Sequence, residues 1–316
     1  MEIIRYESPM ECDKIVNIWA EIFGMEEALL EKPQIDGRET SYNRDIMFVA
    51  CEGEKVVGTI HATFPKEHMS ICGLSGMCTH PDARGTGLGR ILFQKIVEET
   101  EALGAEYTFL GTSNPLAAKL YHSCGFSFLP GSNVMARFRN GDRFDMDRRF
   151  FVNKPERVQI SKGTPSLRIP MIPFVLYRGP HFLMDRNTGI LNSDVVTQVS
   201  CMGLYPRYMD LSEKGGSWYT AFDADSGIPG ALLSKVPAAD GIRADFFYTE
   251  GFREAAETLL DTFASEDRIY FIVSERDTEK QELLRRKGYQ PAGKTIESVR
   301  EFLIPCVRYS NSSFSL

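Results

Sequence analysis

Three glycines, Gly85, Gly87 and Gly89, follow Arg84 in the stretch "RGTGLG". Such a cluster weakens helix and strand alike. It nevertheless stands where a strand-like run, "MSICGLSGMCTH", hands over to a helix-like one, "LGRILFQKIVEETEALG". A helix amino terminus presents unpaired N–H groups and a partial positive charge, and glycine lets an anion approach them with no Cβ in the way. Arg84 adds charge at the entrance. The chemistry this suits is the binding of a phosphate or diphosphate, although glycine clusters also make plain tight turns. The spacing is GxGxG, not the GxGxxG of a dinucleotide-binding turn.

Other side chains could move protons. Tyr121, in "SNPLAAKLYHSCGF", is a phenol with an ordinary pKa of about 10, protonated at neutral pH and able to donate. His61, in "TIHATF", is an imidazole, a group whose ordinary pKa lies near neutrality, and could act as a base, although a lone histidine on a strand is more often structural. Glu26 and Glu27 are weaker candidates for that role, and the strand "ICGLSGMCTH" holds no Asp or Glu. Cys78 lies among apolar neighbours and reads as a buried thiol rather than a nucleophile.

The elements that must position these groups follow from periodicity. "EIIRYE" reads as a strand and "MECDKIVNIWAEIFG" as a helix, with Ile15, Ile18, Trp19 and Ile22 at helical spacing. "MEEALLEKPQIDGRETSYNRD" is polar and interrupted by Pro33 and Gly37, which predicts a short helix and a loop. "DIMFVACEG" and "KVVGTIHATFP" form two strands joined by a turn. After the glycine cluster and its helix come a strand, "EYTFLGT", a helix, "NPLAAKLYHSCG", and a hairpin, "FSFLPGSNVMARF".

With these motifs in place, the first part of the chain resembles the GNAT superfamily of acyl-CoA-dependent N-acetyltransferases. That family carries R/Q-x-x-G-x-G/A at a strand–helix junction and N-x-x-A-x-x-L-Y-x-x-x-G-F downstream; here these are "RGTGLG" and Asn114, Ala117, Leu120, Tyr121, Gly125 and Phe126. The resemblance implies an α+β fold with a mixed, mostly antiparallel central sheet between helices (α/β/α). It also implies acetyl-CoA as co-substrate, with no metal. By that resemblance Arg84, Gly85, Thr86, Gly87, Leu88 and Gly89 cradle the diphosphate with Arg90 nearby, and Met77, Cys78 and Thr79 pair their backbone with pantetheine. Asn114 would hydrogen-bond the pantetheine arm and Tyr121 would be the general acid. The missing strand carboxylate departs from the family pattern and leaves the base open, with His61 a candidate.

The later part repeats the order of elements. "SWYTAFDAD", "PGALLSKVP" and "IRADFFYT" read as strands. "GFREAAETLLDTFAS" is a helix striped by Phe252, Ala255, Ala256, Leu259, Leu260 and Phe263. A strand, "RIYFIVSE", a helix, "DTEKQELLRRKG", and a hairpin, "YQPAGKTIESVREFLIP", follow. Aligning Gly125-Phe126 with Gly288-Tyr289 sets Tyr121 against Leu284 and Asn114 against Asp277, and leaves Gly251 alone where the cradle should be. The expected organisation is a catalytic GNAT domain over 1–141, a linker over 142–165 in which "RRFFV" is a candidate strand, and a degenerate GNAT-like domain over 166–316. An unrelated α+β domain is the alternative for the last part. The end, "SNSSFSL", reads as a flexible tail.

The net charge of −7 argues against a general nucleic-acid binder, which needs clustered Lys and Arg. No apolar run approaches the length of a membrane span, and no signal peptide opens the chain. Seven scattered cysteines without a CxxC pair fit reduced thiols in a cytoplasmic protein. The function expected is direct transfer of an acetyl or short acyl group to a primary amine of a small molecule or peptide. The alternatives are a non-catalytic acyl-CoA binder, an acyl-CoA decarboxylase, or an O- or S-acyltransferase. The acceptor and the oligomeric state are not legible.

Overall fold

Alternating apolar residues, repeated strand by strand, resolve into two seven-stranded sheets, one in each of two compact units. The computed structural model describes residues 1–176, 185–190, 204–262, 266, 268–299 and 302–311. The first unit comprises Met1–Arg143 together with Thr164–Ile172. The second comprises Phe144–Gly163 and the described residues from Pro173 onward. Among the described residues no helix is long and apolar enough to cross a membrane.

In the first unit the order is β1 (Glu2–Glu7), α1 (Cys12–Phe23), α2 (Met25–Ile35), β2 (Asn43–Glu52), β3 (Lys55–Pro65) and β4 (Ile71–Thr79). It continues through α3 (Leu88–Ala102), β5 (Tyr107–Gly111), α4 (Pro115–Ser123), β6 (Ser127–Phe128) and β7 (Val134–Phe138). The strands lie as β1-β2-β3-β4-β5-β7-β6, antiparallel throughout except for β4 and β5. A parallel pair needs a crossover, and α3 supplies it.

The two-residue period of a strand sorts side chains between the faces. Ile46, Phe48 and Ala50 of β2 and Ile60, Ala62 and Phe64 of β3 join α3 and α4 in one core. Met47 and Val49 join Ile15, Ile18, Trp19, Ala28 and Ile35 of α1 and α2 in another. Thr59, His61 and Thr63 share this second face of β3. All three are buried, and each finds a polar partner there.

The expected short helix and loop are both present, and the helix α2 runs through Pro33 instead of breaking at it. Proline removes one i→i−4 N–H bond, here two residues before the helix ends. The helix end is then anchored by Met10 N–H donating to the Ile35 carbonyl at 3.1 Å. Segment Thr164–Ile172 packs within this unit through a buried ion pair between Arg168 and Glu39, and Asn43 Nδ2 donates to the Pro165 carbonyl at 3.0 Å. Ile169 lies where a Cβ on Gly73 of β4 would otherwise stand.

The second unit holds α5 (Arg143–Asp147, its first residue counted with the first unit), β8 (Val158–Lys162), α6 (Leu204–Glu213), β9 (Ser217–Asp223), β10 (Pro229–Ala238) and β11 (Gly241–Tyr248). It continues with α7 (Arg253–Asp261), β12 (Ile269–Ser274), α8 (Thr278–Arg286), β13 (Gln290–Val299) and β14 (Phe302–Ser310). Its strand order, β8-β9-β10-β11-β12-β14-β13, reproduces that of the first sheet, with β11 and β12 as the one parallel pair. The fold class is therefore α+β, with the same mixed sheet built twice. "RRFFV" is not a strand: Arg148–Val152 is a π-helical turn with Phe150 buried and Phe151 half-buried beside it. Cys201, Phe263 and the end of the "SNSSFSL" tail lie outside the described residues.

Candidate functional site

The site grows from the carboxyl end of β4. The ladder between β4 and β5 has three pairs, Ile71–Tyr107, Cys72–Thr108 and Gly73–Phe109. Beyond Gly73 the two strands part, and the β5-facing edge of Leu74–Thr79 has no ladder partner. On its other side β4 stays paired with β3, but irregularly. Thr59 faces Cys78 and His61 faces Ser75, so Gly76 and Met77 together oppose Ile60 alone, which is a β-bulge. Gly76 has φ 57°, and its missing Cβ is where the Trp19 ring sits. Trp19 Nε1 donates to Thr59 Oγ1 at 2.9 Å, and Thr59 Oγ1 donates to the Gly76 carbonyl at 2.6 Å, pinning the bulge from the α1 side.

Past β4 the chain makes a single 3-10 turn, Pro81–Ala83, and enters the glycine cluster. Arg84 Nε donates to the Thr79 carbonyl at 3.2 Å and Thr86 Oγ1 to the Ala83 carbonyl at 2.8 Å, closing the loop on itself. Gly85 has φ 79° and Gly87, the residue that caps α3, has φ 84°. L-side chains rarely adopt that left-handed conformation. Arg84 to Gly87 and Arg90 are exposed, Gly89 is half-buried and Leu88 is buried. A Cβ at Gly85 or Gly87 would meet nothing, and one at Gly89 would come against Met77 Cε and Thr79 Oγ1 at 3.4 and 3.5 Å. The first N–H groups of α3 have no acceptor within the helix, and no acidic residue occupies its first turn. This is an open, electropositive cradle opposite the unpaired edge of β4, and it suits an extended ligand with an anionic end.

Tyr121 reaches the same region from α4. It is buried and stacks on Phe93 of α3, with ring centres 4.6 Å apart. Burial, with a smaller contribution from the Cys78 thiol, pushes its phenol up to about 12. It therefore stays protonated across the physiological range. Cys78 itself is buried and pushed up to about 11, chiefly by desolvation, so its thiolate is scarce at neutral pH.

Asn114 is exposed and caps α4. Its Oδ1 accepts from the Leu116 and Ala117 N–H groups at 2.9 and 3.3 Å. It also borders an open cavity of about 490 Å³ with Lys119, His122, Phe128 and Asn133, which takes in neither Tyr121 nor the glycine loop. Glu26 and Glu27 occupy the first turn of α2, exposed and half-buried. His61 is fully buried; its Nδ1 lies 3.0 Å from Ser75 Oγ and its Nε2 3.1 Å from Asp45 Oδ1. Sequence reasoning passed over Asp45, Thr59 and Ser75. The one local sign was an acid, Asp45, at the head of an otherwise apolar strand run.

Residues 43–128 match the model of the acetyltransferase (GNAT) domain. The chain is also similar to solved structures. An acetyltransferase from Streptococcus agalactiae is 22% identical, with a TM-score of 0.35 over 43% of this chain and 97% of that one. The ribosomal-protein-S5-alanine acetyltransferase from Vibrio fischeri is 12% identical, with a TM-score of 0.38 over 49% and 92%. An aminoglycoside 6'-N-acetyltransferase complexed with coenzyme A is 16% identical, with a TM-score of 0.36 over 45% and 99%. No curated protein matches the chain. The matched stretch begins with β2, ends with β6 and encloses the bulge, the glycine cradle and Tyr121, and over it the chain is similar to the acetyltransferase (GNAT) domain.

Proposed function

We propose that the first unit transfers an acetyl or short acyl group from acetyl-CoA directly to a primary amine of a small molecule or peptide. The observation that carries this reading is the continuity of two features: an unpaired β4 edge from Leu74 to Thr79 that runs straight into the amino-terminal cradle of α3. The N–H groups around Gly85, Gly87 and Gly89, with Arg84 and Arg90 beside them, take the diphosphate. The backbone of Met77, Cys78 and Thr79 takes the pantetheine arm, with Asn114 at its far side.

Tyr121 acts as general acid. Its proton goes to the departing thiolate, whose own affinity for a proton is that of a thiol near 8.5. The base has the harder task. An alkylamine of pKa about 10.4 is almost wholly protonated at pH 7, and producing the neutral form costs roughly 4–5 kcal/mol. His61 is the candidate. The second unit repeats the scaffold without the cradle or the tyrosine, and we read it as a copy that does not bind acyl-CoA.

Calorimetric titration with acetyl-CoA, followed by thioester consumption over polyamines, aminoglycosides, amino acids and peptides, tests the reading. Binding with turnover on at least one amine is the expected result. Binding without turnover on any of them would recast the protein as an acyl-CoA binder, and carbon dioxide released from malonyl-CoA would recast it as a decarboxylase.

A further inference from the structure

We infer that the base in this unit is a three-residue relay, Asp45–His61–Ser75, in which Ser75 meets the amine and the buried His61–Asp45 pair receives the proton. The inference rests on the acyl-transfer reading above. His61 is 0% exposed, so its ring cannot touch an acceptor. Ser75 is half-buried, and its Oγ lies 3.0 Å from His61 Nδ1. On the far side of the ring Asp45 Oδ1 stands 3.1 Å from Nε2, off the line of a well-directed hydrogen bond.

Nε2 and Asp45 Oδ2 are both buried without a hydrogen-bond partner. Buried polar groups left in that state carry a desolvation penalty, and an imidazole and a carboxylate facing each other at this distance form a ready acceptor for one proton. Asp45 Oδ1 is itself fixed by Thr63 Oγ1 at 2.6 Å, and Thr63 also donates to Gln34. A carboxylate beside Nε2 selects the tautomer with the proton on Nε2, which leaves Nδ1 free to accept from the Ser75 hydroxyl.

The placement of Ser75 is set by the bulge. It is the last residue before Gly76 and Met77 and lies on the part of β4 that β5 leaves unpaired. An arm running back along Thr79, Cys78 and Met77 from the cradle brings its thioester to the bulge, with Ser75 next along the strand. The step then balances. An ammonium N–H proton passes to Ser75 Oγ as the Ser75 O–H proton passes to His61 Nδ1, giving the neutral amine and an imidazolium held by Asp45. The amine lone pair forms the C–N bond, the C–S bond breaks, and sulfur takes the Tyr121 proton. Tyrosinate recovers the excess proton from the new amide nitrogen, and His61 returns its own proton to water through Ser75. Ser75 is the catalytic residue here; His61 and Asp45 act through it.

Two measurements decide the matter. Heteronuclear NMR of the full chain, with the His61 resonance assigned by its loss in His61→Gln, reads the tautomer and needs no acceptor. Nε2 protonated and Nδ1 free is the expected form, and a proton on Nδ1 would overturn the relay. Kinetics of Ser75→Ala, on an amine found by the panel above, should show kcat down about 10²-fold with KM for acetyl-CoA unchanged. Ser75→Thr should recover most of the rate, and Asp45→Asn should lose about tenfold. On a fluorinated analogue of the same amine, already neutral at the assay pH, the Ser75→Ala loss should shrink to a few fold. An equal loss on both amines, or none on either, would refute the relay while leaving acyl transfer intact. Failure of the wild-type protein to bind acetyl-CoA would instead mark the failure of the reading beneath it, and the relay would fall with it.

Discussion

The two units share one scaffold down to single hydrogen bonds. In the first, Phe126 N–H returns to the Tyr121 carbonyl at 3.1 Å and Gly125 N–H to the His122 carbonyl at 3.1 Å; in the second, Tyr289 returns to Leu284 and Gly288 to Arg285, both at 3.0 Å. Asn114 caps α4 with its side chain, and Asp277 holds the matching position before α8 without a side-chain cap bond. What differs is the space between these elements. At the third position after the cap, α4 carries Ala117 and α8 carries Lys280. The Lys280 ammonium is buried and donates to Asp245 Oδ1 at 2.7 Å, and Asp245 is the first residue of β11 beyond its three-pair ladder with β12. An ion pair therefore stands where the first unit keeps its open strand edge. Leu284, fully buried, replaces Tyr121, and a Cβ on Gly251 would run into the Asn153 carbonyl where the cradle would be. The second unit keeps the sheet of the first and fills the space that the first leaves open.

The largest effect should come from breaking that filling. Lys280→Ala leaves Asp245 buried without its main cation, and removing one partner of a buried pair costs about 3–5 kcal/mol. Denaturant unfolding should show that loss in the second unit with acetyl-CoA affinity unchanged. A loss under about 1 kcal/mol would mean that the pair is solvated and fills nothing. Next comes the acid. Tyr121→Phe should lower turnover by about 10²-fold at unchanged acetyl-CoA affinity. Unaltered turnover would remove the main chemical distinction between Tyr121 and Leu284.

The same phenol makes a stability prediction. Its folded pKa, about 12, lies above the ordinary value of about 10, so folding favours the protonated form. That contribution is complete below pH 10 and is lost as pH rises from 10 to 12, by at most about 2.7 kcal/mol for two pKa units. Tyr121→Phe should flatten the fall in melting temperature over this window, apart from what the other raised tyrosines, Tyr208 and Tyr289 among them, contribute in both proteins. Identical alkaline profiles would show that Tyr121 is not desolvated as its burial implies.

How much of this the sequence disclosed depends on range. The glycine cluster is a local pattern and the second half repeats an order of elements, so both can be read in the sequence, whereas Tyr121 is singled out only through the resemblance of its flanking motif. β8 was illegible because "VQISK" is exposed or half-exposed at every position, an edge strand with no apolar alternation to betray it. α6 carries Pro206 in its first turn, which in a sequence reads as interruption. The Asp45–His61–Ser75 contacts are illegible for a different reason. They exist only through the register that sets Met47 against His61 and His61 against Ser75 across three strands. Lys280 and Asp245 likewise meet 35 residues apart, in elements whose sequences read separately as an amphipathic helix and a buried strand.

The finest contrast lies in two glycines that serve different ends. Gly87 caps α3 at φ 84° with nothing near a prospective Cβ, so its requirement is conformational and its open surroundings are left for a ligand. Gly87→Ala should cost about 1–2 kcal/mol of left-handed strain, relieved by tilting the first N–H groups of α3 away from the cradle, and acetyl-CoA affinity should fall about tenfold. Gly251 has no positive φ and is hemmed in by the backbone of Asn153 and Lys154. Gly251→Ala should therefore lower the stability of the second unit by about 1–3 kcal/mol, in the range of overpacking, and leave acetyl-CoA affinity where it was. Calorimetric titration of both variants beside their melting curves separates the two roles. If Gly251→Ala weakened acetyl-CoA binding as much as Gly87→Ala, the second unit would have to be counted as part of the nucleotide site, and its description as a filled copy would be wrong.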